Sequence, residues 1–127
     1  MKAAFSAMCG VLVLALAVCV ASAWVQGNVL DDMDVLCISA LECVRRDDGE
    51  TAAGYVGSLE WLMDDKRGMM ESLASHNDLH ETATCIVDAR VALECGDIDD
   101  AYQALVRLQG MLEHMRAHES LSLSNLL

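Results

Sequence analysis

Hydrophobic and polar positions follow two regimes along this chain. From Ala3 to Val25 no residue is charged, and a helix of that length can cross a hydrocarbon layer of ~30 Å. Beyond Val25, apolar residues recur at every third or fourth position in four stretches, separated by polar, glycine-containing or cap-like breaks. That is the period of an amphipathic helix. The pattern divides the chain into a hydrophobic helix over residues 1–25 and a helical domain over 26–127.

The first amphipathic helix is predicted from about Asn28 to Arg46, with Leu30, Met33, Leu36, Cys37, Ala40, Leu41 and Val44 on one stripe. Arg45-Arg46-Asp47-Asp48-Gly49 ends it: cations suit the negative end of a helix, and Gly49 supplies the turn. The second is predicted from about Glu50 to Ala74, with Ala52, Tyr55, Val56, Leu59, Leu62, Met63, Met69, Met70 and Leu73 on a common face. Ser75 caps a third, ending near Glu94, that turns Leu79, Ala83, Ile86 and Leu93 inward. After the turn Cys95-Gly96-Asp97, a fourth opens with Asp97, Asp99 and Asp100 at the positive end of its dipole. Its core face holds Ile98, Ala101, Leu105, Leu108, Leu112 and Met115. The tail, Ser120 to Leu127, drops the period and reads as a frayed end docked on the core.

The segments Gly49 to Tyr55 and Gly96 to Tyr102 align with an offset of 47 residues. The expected fold is therefore all-α: four antiparallel helices arranged as two αα-hairpins, bundled or stacked as in helical repeats, after an N-terminal hydrophobic helix. Composition agrees, because the chain has no proline, only five aromatic residues and abundant Ala, Leu, Val and Met.

Acidic residues outnumber basic ones by 20 to 8 in a chain of 127. Lys2 is the only cation before Arg45, so the part beyond Val25 is more acidic than the whole. Such a surface repels phosphate backbones, and nucleic-acid binding is not expected. Lys2 ahead of the apolar run makes residues 3–25 an export segment that meets the membrane. Two outcomes stay open. An uncleaved span gives a single-pass protein with its C-terminal domain outside the cytoplasm, whereas the small-x-small pattern Ala21-Ser22-Ala23 allows cleavage after Ala23 and secretion. Leu16-Ala17-Val18-Cys19 departs from a lipoprotein box because Val18 is not small.

Trp61 in the second helix, His76-Asn77-Asp78-Leu79, the Asp97 turn and the closing Leu121-Ser122-Leu123-Ser124-Asn125-Leu126-Leu127 come in an order that spans nearly the whole chain. In this it resembles a bacterial family of short membrane-anchored helical proteins, the domain-of-unknown-function family numbered four-three-six-three. The resemblance implies a helical domain tethered outside the cytoplasmic membrane, with a role as accessory to membrane proteins encoded nearby, and no established activity. The chain departs from the family pattern in its four cysteines after Val25, in His80 and in the Ala-x-Ala site.

Those cysteines, Cys37, Cys43, Cys85 and Cys95, would enter an oxidising compartment, where an even number invites disulfides. Cys37 and Cys43 are separated by a rise of roughly 9 Å along one helix, beyond the about 7 Å that a disulfide tolerates between Cα atoms. If the first and third helices are parallel neighbours, Cys37 meets Cys85 and Cys43 meets Cys95; otherwise the four are buried thiols acting as small apolar residues.

The histidines form two i, i+4 pairs, His76 with His80 and His114 with His118. That spacing can chelate zinc or copper, with Glu81, Glu113 or Glu119 as further ligands, or it can leave all four solvated. Asp31, Asp32 and Asp34, like Asp64 and Asp65, read as solvated faces. There is no Cys-x-x-Cys, no His-Glu-x-x-His, no glycine-rich phosphate loop and no Ser-His-Asp set. No cofactor and no enzymatic activity are expected. Trp61 points away from its helix's stripe, and either packs on a second neighbouring helix or anchors an interface. The expected function is that of a non-enzymatic protein-interaction accessory of a membrane protein; the alternative is a secreted or periplasmic metal-binding protein using the paired histidines.

Overall fold

The computed structural model describes residues 2–126, with side chains at all of these except 22–27, 72, 73, 119 and 122–127. The chain is all-helical over these residues: α1 spans Lys2–Arg45, α2 Gly49–Asp65, α3 Arg67–Leu73, α4 His76–Glu94 and α5 Ile98–Leu126. The apolar segment and the first amphipathic helix, expected as two elements, form the single helix α1. No proline interrupts the stretch, and propensity otherwise favours continuation.

The helix expected from Glu50 to Ala74 is instead two. Asp64 and Asp65 sit at the negative end of α2, where carboxylates oppose the dipole, and Gly68 follows closely. Lys66 leaves helical geometry with φ −103° and ψ 8°. The break lets α3 pack on α1 and bury Met70 completely. Leu73, assigned to the same stripe, has its side chain outside the described residues.

Helix α1 packs on α2 and α5, and α4 packs on α5 and α2, with α3 bridging α1, α2 and α4. Helices α1 and α4 are not laid along one another. The expected pairings Cys37 with Cys85 and Cys43 with Cys95 are not formed here, where all four are free thiols. The core is aliphatic: Leu30, Met33, Leu59, Met70, Ile86, Leu105, Leu108 and Leu112 are fully buried, with Thr82 the one buried polar residue among those described. Thr82 keeps its hydroxyl satisfied by donating to the Asp78 carbonyl at 2.7 Å, a helical back-bond that makes its burial inexpensive.

The two tight turns share one construction. Asp48 N–H donates to the Cys43 carbonyl and Asp97 N–H to the Ala92 carbonyl, at 2.9 and 2.8 Å. The residue before each, Asp47 with φ 59° and Gly96 with φ 73°, is left-handed. This is a Schellman ending. Asp48 then accepts from Thr51 N–H at 3.2 Å, and Asp97 from Asp100 N–H at 3.1 Å, capping α2 and α5.

The equivalence of the turns is thus Asp48 with Asp97, an offset of 49 residues rather than the expected 47. At 49, the buried residues of α2 fall on those of α5: Ala52 on Ala101, Val56 on Leu105, Leu59 on Leu108 and Met63 on Leu112. Gly49, expected to form the turn, is the first residue of α2, and the left-handed position belongs to Asp47. Because Gly96 already serves the matching position without strain, Asp47→Gly is expected to stabilise the domain by about 1 kcal/mol. A urea midpoint that fails to rise would count against this reading of the turn.

The tail departs from expectation as well. Helix α5 runs on to Leu126, and Leu121 is exposed rather than docked. The side chains of residues 122–127 lie outside the described residues.

Candidate functional site

The packing of α2 on α1 leaves a concave feature among the described residues. Between α1 and α2 runs a groove of about 440 Å³ lined by Asp32, Val35, Leu36, Ser58, Trp61 and Leu62. Leu36 and Leu62 are half-buried on the core and form its floor. Val35 and Trp61 stand above it, 63 % and 66 % exposed. Trp61 therefore does not pack on a second neighbouring helix among the described residues, one of the two readings of its position off the stripe. The reason is local: the neighbouring turn of α1 presents Asp32 and Val35, and among the described residues no further helix covers that face. Sequence reasoning missed Val35, though its signal was the same as that of Trp61, a large apolar residue opposite its helix's stripe.

Acidic residues near the groove differ in their partners. Asp31 pairs with Arg116, which also lies 3.9 Å from Asp34. Asp65 meets Lys66 at 3.5 Å and Asp64 meets Arg67 at 3.6 Å. Asp32 has no ion pair among the described residues. Away from the groove, Glu60 receives Arg90 at 2.6 Å, Asp88 receives Arg107 at 3.1 Å, and the Arg45 guanidinium lies 5.8 Å from the Tyr102 ring centre. These exposed contacts tie neighbouring helices together at modest gain.

The histidines are spread around the start of α4 and the later turns of α5. His114 Nε2 lies 3.9 Å from Asp78 Oδ2, while His76, His80 and His118 are exposed, as are Glu81 and Glu113. The side chain of Glu119 falls outside the described residues. Among the described residues, no three His, Cys, Asp or Glu side chains come together around one point where a metal ion could sit.

Cys37, Cys43 and Cys85 are buried and Cys95 is exposed, all as free thiols. The Cys37 thiol donates to the Leu105 carbonyl at 3.3 Å. Burial, assisted by the nearby charge of Asp34 and by Cys85, pushes its pKa up to about 12. Burial also raises Cys85, although Arg107 pulls the other way. Thiolate is the reacting form, so among the four cysteines beyond Val25 iodoacetamide is expected to modify Cys95 first and to reach Cys37 and Cys85 only on unfolding. Peptide mapping after timed alkylation reads that order, and early modification of Cys37 would contradict it. The same shift carries a sign for stability. A folded thiol held above its unfolded value favours the fold below about pH 9, and this contribution is lost as pH rises from there toward 12.

The remaining surface of note is the N-terminal part of α1. Residues Lys2–Ala21 form a helical stretch of 20 residues, apolar and long enough to cross a membrane, with none of it buried against the domain. Its side chains are fully available to lipid or to another helix.

Comparison of the chain with protein-family models, with curated proteins and with solved structures gives no match.

Proposed function

We propose that this is a non-enzymatic, membrane-anchored extracytoplasmic helical protein that acts through protein contacts as the accessory of an integral membrane protein. The observation that carries the reading is the exposed apolar helix Lys2–Ala21, continuous with the helix that forms one wall of the domain. A helix of that composition has a large free-energy incentive to leave water. Lys2 ahead of it and the absence of Lys or Arg behind it before Arg45 orient the span with the domain outside the cytoplasm.

In this reading the domain is a pair of antiparallel αα-hairpins, α1 with α2 and α4 with α5. Support comes from contacts that run in opposite senses along the paired helices. Thr82 meets Met115 while Asp88 meets Arg107, opposite senses along α4 and α5 of one hairpin, and Asp31 meets Arg116 while Cys37 meets Leu105, opposite senses along α1 and α5 where the two hairpins meet. The repeat of 49 residues relates one hairpin to the other.

The test is the unreduced intact mass of the chain recovered from its own cells, with the fraction in which it is found. A full-length mass in carbonate-washed membranes is expected. A soluble chain lacking residues 1–23 would instead make the apolar helix a cleaved signal and sink the anchored reading.

A further inference from the structure

The α1–α2 groove combines three properties that specify an occupant. Val35 and Trp61 offer apolar surface to solvent on either side of a floor made by Leu36 and Leu62. Asp32 on its rim is a carboxylate without an ion pair among the described residues, whereas Asp31, Asp34, Asp64 and Asp65 each have a cation within reach. The whole chain carries a net charge of −12. A slot of this kind favours a segment that presents an apolar side chain beside a Lys or Arg. Its cation is attracted both to Asp32 and to the electron-rich face of Trp61. A second copy of the chain fits poorly, since two acidic surfaces repel.

The position of the groove identifies the source of that segment. At 1.5 Å per residue, Asp32 and Val35 stand about 17 and 21 Å beyond Ala21 along α1, so the occupant comes from the zone just outside the bilayer. The face of α1 that bears them returns every five turns, roughly 18 residues. Toward the N-terminus that face carries Leu14 and Ala17, flanked by Gly10 and Ala21. A helix rising through the membrane beside these residues meets little steric obstruction before it reaches the groove.

We propose that the α1–α2 groove docks a basic amphipathic helix of an integral membrane protein, one that leaves the bilayer alongside α1 and seats an apolar residue and a cation against Trp61 and Asp32. This deepens the accessory reading above and rests on it.

The test places the photocrosslinking residue benzoylphenylalanine at Val35 or at Trp61 of the full-length chain in its native membranes, with Val87 on α4 as the comparison site. All three positions are exposed, and an unchanged melting temperature checks each variant's fold. The expected result is one adduct common to positions 35 and 61 and absent at 87. The captured peptide should contain Lys or Arg and map within about 15 residues of a partner's membrane span. Asp32→Asn should lower its yield by about threefold to fivefold, the effect of losing one exposed charge pair. An adduct of twice the chain's mass would give the groove to a second copy and overturn the proposal. So would a partner captured only at position 87, or no adduct at 35 and 61 from a membrane-bound, folded chain; these leave the anchored reading standing. Recovery of a soluble chain without residues 1–23 removes that reading itself.

Discussion

Leu105→Ala is expected to cost the domain about 3 kcal/mol, lowering its melting temperature by roughly 10 to 20 °C. Leu105 is fully buried on α5, so truncation loses the transfer free energy of its methyl groups and leaves a cavity. The figure sits in the middle of the usual range for a specific reason. Met33, Met63, Met70 and Met115 all belong to the same core, and unbranched thioether side chains can shift into part of the void. The Leu105 carbonyl also accepts the Cys37 thiol, and relaxation around the cavity loosens that bond. Thermal unfolding followed by circular dichroism measures the loss, with Val35→Ala as a partner experiment expected to change stability by less than about 0.5 kcal/mol because the side chain is mostly in water. A Leu105→Ala domain within 1 kcal/mol of the parent would mean that the packing of α5 against α1 is not the arrangement described.

What could be read from the sequence follows from what repeats along it. Of the predicted stripe, Leu30, Met33, Cys37, Ala40, Leu41 and Val44 are buried as their spacing demands, with Leu36 only half-buried, and Ser75 and Asp97 cap the helices they were assigned to. These are local rules, satisfied within one or two turns. Thr82, Cys85 and Ala89 are buried too, yet a threonine and small residues carry little hydrophobic signal, and their burial is decided by the helix lying over them. The turn at Asp47 was misplaced onto Gly49 because glycine is the usual left-handed residue, while a short polar side chain tolerates the same conformation. That error shifted the internal alignment by two residues. The burial pattern corrects it, since only an offset of 49 superposes core on core.

The groove shows the same division. Trp61 stood out in the sequence as an off-stripe tryptophan, but whether a neighbouring helix covered it depended on where α1 presents Asp32 and Val35, a relation between two helices that neither helix's period contains. The neighbours of α1 are a further case. Helical pattern assigns a face to the core without saying which helix meets it, and here α2 and α5 take the places beside α1.

Substituting Leu12 and Val13 together by lysine is expected to abolish membrane association while leaving the melting temperature of the domain unchanged. Both residues lie near the middle of Lys2–Ala21 and are exposed along the helix. Each charge placed there opposes insertion by about 3 kcal/mol on translocon-derived scales. The pair together offsets much of what the apolar side chains contribute, and snorkelling is least effective at the centre of a span. The domain is indifferent for a different reason: none of Lys2–Ala21 is buried against it, so no packing is lost and no charge is desolvated by the fold. Membrane flotation of the full-length variant, beside thermal unfolding in mild detergent, separates the two effects. A variant that still floats would show that the apolar stretch is not what holds the chain to the membrane. One that melts several degrees lower would show that this stretch packs on the domain, and would require the wall formed by α1 to be redrawn as a single unit with its apolar N-terminal part.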